Sequence, residues 1–424
     1  MNRFLQILRI PDLRNKVLII IGLLFVFRLL AAIPIPGIDI LRLRDILSSN
    51  QLLGFFNVFS GGGLTNLSIV MLGVAPYITA TIIMQLLTMI FPRLKQMYYE
   101  EGSAGRAKFN RYSRYLTVPL AAVQAYGFLN LLGSQGVLGA LPFFDLIRNI
   151  IVITAGSMIL VWIGELITEQ KLGNGISLLI FAGIVSSLPT TLRQFYVEYQ
   201  SGTLRIDTIL IFLAVALIVI AGVVFIQEGE RRIPVAYAKR VRGIKMYGGV
   251  QSYLPLKVNQ AGVIPIIFAI SILLFPQFFA QMTALVSPSL SLRVNDIVTQ
   301  IFNNQYVYGG MYFILVVVFT YFYTAVTFDP KEISKNLQRS GGFITGIRPG
   351  DSTSDFLSKI INRITFAGAL FLGLIAVLPT ITQIITGVTT LSVGGTALLI
   401  VVAVAIETAR QINSQLIVRE YEGF

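Results

Sequence analysis

Residues 228–257 read EGERRIPVAYAKRVRGIKMYGGVQSYLPLK and lie between two long apolar runs, residues 207–227 and 261–280. This stretch carries seven Lys or Arg against two Glu, with tyrosines interleaved among them. Clustered positive charge with aromatic side chains is typical of a surface that docks a large acidic or polyanionic partner. The stretch therefore predicts a membrane-embedded chain with a long basic arm on one face.

The composition supports membrane embedding and excludes several kinds of chemistry. Of the 424 residues, 55% are hydrophobic and only 12% are charged, whereas an average soluble domain has about 25% charged residues. The chain contains no Cys and no His, which excludes disulfides, thiolate chemistry, imidazole bases and the usual transition-metal ligands. It also lacks the phosphate-binding pattern GxxxxGK followed by Ser or Thr. We therefore expect no metal site, no cofactor and no enzymatic activity, with energy supplied from outside the chain.

The apolar runs predict an all-α integral membrane protein with ten transmembrane helices. A helix needs about 20 residues to cross the hydrocarbon core. One run is short, residues 176–189, and is bracketed by GNG and Pro189; we count it because its omission would put the basic arms on opposite faces. The predicted spans are residues 16–33, 68–91, 116–133, 146–168, 176–189, 207–227, 261–280, 308–328, 361–383 and 393–412.

Lys and Arg concentrate in the N-terminal tail, in the loop 92–115 and in two arms, residues 229–258 and 329–363. The positive-inside rule assigns these segments, and both termini, to the cytoplasm. Membrane topology and anionic lipid alone also favour basic residues there, and this alternative applies most to the loop 92–115. The two arms are longer than topology requires.

The spans divide evenly, five before Gly202 and five after it. An odd number of spans in each half makes the halves inverted repeats, which place a pathway at their interface. We therefore expect an N-terminal half, residues 1–201, and a C-terminal half, residues 202–424, which carries both arms.

Residues 54–67, GFFNVFSGGGLTNL, are too short to cross the membrane. Irregular backbone cannot face lipid because its amides would lack hydrogen-bond partners. The three consecutive glycines would allow unusual backbone angles. The segment predicts a movable re-entrant half-helix; an ordinary external loop is the alternative.

Ionisable side chains are sparse within the spans: Arg28, Glu165, Glu228 and Glu407. An ion-coupled transporter would bind charge at mid-membrane depth, and an intramembrane enzyme would need a close pair of acids there. We interpret the three glutamates as interfacial residues that reach for headgroups. A narrow ring of branched apolar side chains would instead seal a channel. A polytopic secondary transporter remains the alternative.

Eight segments, in this order along the chain, resemble signatures of the SecY family, the central subunits of the bacterial protein-conducting translocation channel. They are AAIPIPGID (31–39), FNVFSGG (56–62), LGVAPYITATIIMQLL (72–87), LGNGISLLIFAGIV (172–185), RRIPVAYAKR (231–240), LPLKVNQAGVIP (254–265), GIRPG (346–350) and GGTALLIVV (394–402).

The resemblance implies a channel that passes unfolded polypeptides across the membrane and opens sideways to lipid, between spans two and three on one side and seven and eight on the other. Val74 is smaller than the isoleucine expected there. The implied pore ring is Val74, Ile78, Ile180, Ile184, Ile267 and Ile400. The implied lateral-gate residues are Gln85 and Asn259. The implied plug comprises Phe55, Phe56, Asn57, Val58, Phe59, Ser60, Gly61, Gly62, Gly63, Leu64 and Thr65.

The resemblance also implies partners and a location. The expected partners are the small membrane subunits SecE and SecG, the SecA ATPase motor, the ribosome through its rRNA, signal peptides with their nascent or preprotein chains, and membrane lipid. The expected location is the bacterial cytoplasmic membrane. The implied motor and ribosome docking residues are Arg231, Arg232, Lys239, Arg240, Arg242 and Arg348.

Overall fold

The computed structural model of this chain describes residues 10–35, 60, 62–64, 67–134, 142–202, 206–237, 240–242, 245–247, 251–283, 288–386 and 390–422. The helices are α1 (Pro11–Ala32), α2 (Ala75–Ile90), α3 (Pro92–Tyr99), α4 (Gly102–Ser134), α5 (Phe143–Glu169), α6 (Gly175–Gln200), α7 (Ile206–Glu228), α8 (Ile264–Met282), α9 (Pro288–Asn303), α10 (Gln305–Thr327), α11 (Pro330–Arg339), α12 (Asp351–Thr386) and α13 (Thr390–Glu422). The strands are β1 (Glu230–Tyr237), β2 (Arg240–Arg242), β3 (Lys245–Tyr247), β4 (Gln251–Lys257) and β5 (Gly342–Ile344).

The protein is mostly helical, and ten of its described helices overlap the ten predicted spans. Seven of these are long and apolar enough to cross a membrane, and α2 with α3, bent by 112° at their junction, would make an eighth. Helices α1 and α7 expose large apolar side chains, such as Phe25 at 63% and Phe225 at 78%. Such exposed apolar surface is favourable only against lipid, so the chain is a multi-pass membrane protein.

The fifth predicted span differs from its expected form. Helix α6 does not end at Pro189 but continues through it to Gln200. Proline lacks the backbone donor that would bond to the Val185 carbonyl four residues earlier. Membrane helices tolerate such a proline where neighbouring helices or local adjustments enclose the freed carbonyl. The expected short span is therefore a full-length helix.

The second span begins later than predicted, because helix α2 starts at Ala75 rather than at residue 68. The preceding backbone pairs with the end of the first span instead: Ile35 N donates to Leu67 O at 2.8 Å, and Ile69 N donates to Ile33 O at 3.0 Å. These bonds satisfy irregular backbone that is fully enclosed, since Leu67 and Val70 are 0% exposed. The described backbone from Leu67 to Val74 therefore lies largely within the protein, and the expectation for residues 54–67 stays a prediction.

Two groups of helices meet along two seams. Helix α8 packs against α2 and α4, and we call this contact the α8 seam. Helix α13 packs against α6, and we call this contact the α13 seam. The chain passes from α6 directly into α7, which packs along α13. The backbone connection between the halves therefore runs beside the α13 seam.

The two basic arms contain the strands, which the all-α prediction omitted. Strand β1 pairs antiparallel with β4 in the first arm and with β5 in the second arm. The short strands β2 and β3 pair with each other in the first arm. A separate small apolar cluster includes Ile233 on β1, Leu256 on β4 and Ile344 on β5. This pairing puts both arms on one face of the protein, as the span count predicts.

Candidate functional site

Five of the six predicted ring residues lie on four helices, and the sixth, Val74, directly precedes one of them. Val74 precedes α2 and its carbonyl accepts from Ile78 N at 3.1 Å, so the two residues are one helical turn apart. Their partners lie on other helices: Ile180 and Ile184 on α6, Ile267 on α8, and Ile400 on α13. All six side chains are at most 6% exposed.

The same six residues belong to one buried apolar cluster, which they share with neighbouring core residues. The cluster extends over both halves, since its members lie on α2 and α6 as well as on α8 and α13. Branched apolar side chains packed together exclude water and bind no ion. The arrangement is chemically suited to a seal and offers no group for catalysis.

The backbones of α5 and α6 touch near the start of α6, and the sequence did not predict this contact. A Cβ at Gly175 would overlap the carbonyl oxygen of Gly164 on α5, so these backbones touch. Small residues permit this approach between membrane helices. Asn174 caps α6, because its side chain accepts from Ile176 N at 3.0 Å and Ser177 N at 3.2 Å. The GNG sequence therefore determines where α6 begins and allows α6 to approach α5 closely.

The two lateral-gate candidates are both buried but differ in position. Gln85 lies on α2 and is 8% exposed. Asn259 lies between β4 and α8, where its Nδ2 donates to Gln227 Oε1 at 3.0 Å and to Gly262 O at 2.9 Å. Among the residues that the structure describes, neither side-chain carbonyl oxygen has a hydrogen-bond partner. Each of these two buried oxygens would gain a hydrogen bond if a polar group moved within reach. The closed packing at these positions is therefore less favourable than it would be with both acceptors paired.

Two of the glutamates predicted to be interfacial form ion pairs between helices. Arg114 Nη1 on α4 contacts Glu165 Oε2 on α5 at 3.0 Å. Arg410 on α13 contacts both carboxylate oxygens of Glu228 at 2.9 Å and also donates to Gln227 O at 2.9 Å. Both carboxylates are partly exposed near helix ends, so their interfacial position stays a prediction to which the structure adds an ion-pair partner. No local sequence signal identifies such pairs, because Arg410 and Glu228 are 182 positions apart.

The docking residues are spread over both arms. Arg231 and Arg232 lie on β1 with exposed side chains, and Arg232 pairs with Glu230 at 2.6 Å. Arg348 is exposed beyond β5. The backbone of Arg240 and Arg242 belongs to β2, and Lys239 lies outside the described residues. The β1 to β5 pairing brings cations from both arms to one surface.

The predicted plug lies mostly outside the described residues, which include only four of its members: Ser60, Gly62, Gly63 and Leu64. Leu64 N donates to Ser60 Oγ at 3.2 Å, and both residues are at most 1% exposed. At Gly63 a Cβ would lie 3.0 Å from Ser68 Oγ. These residues form a tight, enclosed turn.

Comparison with known sequences gives consistent matches over the whole chain. The sequence model of the SecY family matches residues 68–409. The protein translocase subunit SecY of Mycobacterium bovis is 42% identical over 447 residues, covering 100% of this chain and 99% of that protein. The protein translocase subunit SecY of Corynebacterium glutamicum is 44% identical over 448 residues, with the same coverage.

Comparison with solved structures gives the same architecture. A structure described as that of a protein conducting channel superimposes with a TM-score of 0.66 at 21% sequence identity. The match covers 94% of this chain and 91% of that one. At this identity the likeness shows the fold.

Proposed function

Because this chain belongs to the SecY family and is a subunit of a protein translocation channel, we propose that unfolded polypeptides cross the membrane through its centre. Apolar segments of those polypeptides leave sideways into lipid. The channel is not an enzyme, and the energy for transport comes from a docked partner. A secondary transporter is not favoured by the relatives' shared name of protein translocase.

The observation that carries this proposal is the burial of all six predicted ring residues in one apolar cluster. Moving an ion through such a constriction costs several kcal/mol, because no polar group replaces its water shell. A polypeptide in transit can displace the same side chains, because they form no directional bonds with one another. The proposed ring of Val74, Ile78, Ile180, Ile184, Ile267 and Ile400 therefore blocks ions at rest and yields to a chain.

The proposed architecture has ten spans in two halves, residues 1–201 and 202–424, with the plug at 55–65 on the external side of the ring. The halves are joined covalently beside the α13 seam. A hinge there leaves the α8 seam as the one that opens to lipid. Gln85 on α2 and Asn259 before α8 flank this seam as the proposed gate residues.

The proposed docking surface is the cytoplasmic face of the two arms. Exposed arginines there fit two partners: rRNA phosphates attract clustered cations, and the carboxylates of the SecA motor accept forked hydrogen bonds from arginine. SecE and SecG are the proposed membrane-embedded neighbours. The proposed location is the bacterial cytoplasmic membrane, with both termini in the cytoplasm.

Reconstitution tests the function directly. We expect this chain with SecE and SecG in liposomes, supplied with SecA and ATP, to protect a signal-bearing preprotein from external protease. A preprotein without its signal serves as the control and stays accessible. Uptake of small solutes by a sealed, protein-loaded liposome, without any protection of preprotein, would favour the transporter and refute the channel.

A further inference from the structure

A hydrogen bond beside the α8 seam joins the two halves, from α3, which follows α2, to α10, which packs against α8. The Tyr99 hydroxyl, at the end of α3, donates to the backbone carbonyl of Val326 on α10 at 2.8 Å. A carbonyl in the last turn of a helix normally lacks an intrahelical donor. The residue four positions after Val326 is Pro330, which has no N–H. The Tyr99 hydroxyl therefore satisfies an acceptor that the helix itself leaves open.

The surroundings keep this hydroxyl in place as a donor. The ring of Tyr98 meets that of Tyr99 edge-on at 4.9 Å and that of Phe109 on α4 at 4.8 Å, which fixes Tyr99 from the N-terminal half. Burial raises the pKa of Tyr99 to about 12, with smaller contributions from Tyr98, Asp329 and Glu332. Below that pKa the phenol keeps its proton, so the bond persists throughout the physiological pH range.

A comparable bond crosses the other seam and provides a contrast. Gln415 Nε2 on α13 donates to Lys171 O, just before α6, at 2.7 Å. The α13 seam lies beside the covalent connection between the halves. We expect two halves that separate along the α8 seam while staying packed along the α13 seam to keep the Gln415 bond and to part the Tyr99 hydroxyl from Val326.

We propose that Tyr99 is a specificity-determining residue of the channel, because its bond to Val326 must break before the α8 seam opens on the cytoplasmic side. The bond raises the free energy needed to open the α8 seam. A signal segment must supply this free energy through its own binding, so weakly binding segments are excluded. This inference rests on the proposed function and adds to it a residue outside the ring, the plug and the arms.

The test removes the hydroxyl alone, in the Tyr99→Phe variant. Loss of one neutral hydrogen bond shifts the ratio of open to closed channels by about fivefold. The chain has no Cys, so spin labels at Lys95→Cys and Lys331→Cys, both exposed positions, report the distance between α3 and α11 without background. We expect Tyr99→Phe to enlarge the long-distance population about fivefold and to transport preproteins with weakened signals more efficiently.

Two matched controls identify the cause. Tyr98→Phe removes a neighbouring hydroxyl while keeping its ring, and Gln415→Met breaks the bond at the α13 seam; both should match the parent protein. Equal label distances and equal signal selectivity in Tyr99→Phe and the parent would overturn the proposal, as would an equal effect of Tyr98→Phe. Failure of the parent protein to transport any preprotein would refute the proposed function instead, while the label distances would still test the bond.

Discussion

Single side chains stabilise the closed arrangement in two different ways. The pairs Arg114–Glu165 and Arg410–Glu228 join helices at partly exposed positions, where an ion pair contributes up to about 1 kcal/mol. Full burial of one branched apolar side chain contributes about 1.5–3 kcal/mol. The six predicted ring residues contribute through apolar packing, whereas the ion pairs mainly orient the helix ends.

A polar substitution within the ring should loosen the seal. In Ile184→Thr the branched shape is kept, but a hydroxyl enters an apolar site that is 1% exposed. The substitution removes the δ-methyl group and adds a hydroxyl that can donate to the Ile180 carbonyl within α6. Weaker apolar packing should cost about 1.4 kcal/mol, so the ratio of closed to open channels should fall roughly tenfold. The measurement is the ion conductance of liposomes that contain the resting channel. Ile151→Thr on the lipid-facing side of α5, at 62% exposure, is the control, and equal conductance in the two variants would contradict the ring.

At the scale of helices and strands, the pairing of β1 with β5 joins the two basic arms. Residues 342–344 of β5 alternate between buried and exposed side chains. Ile344 is 3% exposed and packs in the cluster beneath the sheet, whereas Phe343 is 37% exposed. Because β5 pairs with only three residues of β1, the pairing depends on this packing more than on its hydrogen bonds. The joining of the two arms therefore depends on the burial of Ile344.

Truncation of Ile344 should separate the arms. Ile344→Ala removes buried apolar volume and should cost about 2–5 kcal/mol of local stability. We expect faster hydrogen exchange of the Val235 and Tyr237 amides and faster tryptic cleavage after Arg339, which is exposed just before β5. Phe343→Ala, on the exposed side of the same strand, provides the control. Unchanged exchange in Ile344→Ala would show that the arms hold together without this cluster.

Across the entire chain, charge is distributed unevenly between the two faces. The formal net charge is +13, and Lys and Arg concentrate in the tail, the loop 92–115 and the two arms. The strand pairing between the arms gathers part of this charge on one surface. Attraction of a polyanion to such a surface is long-range and screened by salt.

Binding of ribosomes should therefore depend steeply on salt. If six arm cations contact phosphates, affinity should fall about a thousandfold between 50 and 200 mM salt. Neutralising one of them, in Arg231→Gln, should reduce the slope of log affinity against log salt by about one. Arg148→Gln, whose arginine pairs with Asp145 at 3.1 Å outside the arms, should leave the slope unchanged. A slope near zero in the parent protein would exclude phosphate contacts as the basis of docking.

Much of the architecture could be predicted from local patterns. Apolar runs identified membrane helices because the bilayer requires about 20 apolar residues in each helical span. Charged loops indicated one common face for both arms, and the β1 to β5 pairing agrees. Helix ends were predicted less well: α6 passes through Pro189, and α2 begins at Ala75. Paired backbone delays the start of α2, and such pairing is not a property of a hydrophobic run.

The amino-acid pattern alone is sufficient to predict membrane embedding and a basic face, because these depend on composition and spacing along the chain. The ring candidates came instead from the resemblance to the SecY family, since Ile and Val are too frequent for periodicity to single them out. Which side chains meet depends on packing between helices that are distant in sequence. The contact of Gly164 with Gly175, the pairing of Arg410 with Glu228, and the bond from Tyr99 to Val326 arise only when the helices come together. Such contacts depend on distances of a few ångströms between elements, which no local periodicity encodes.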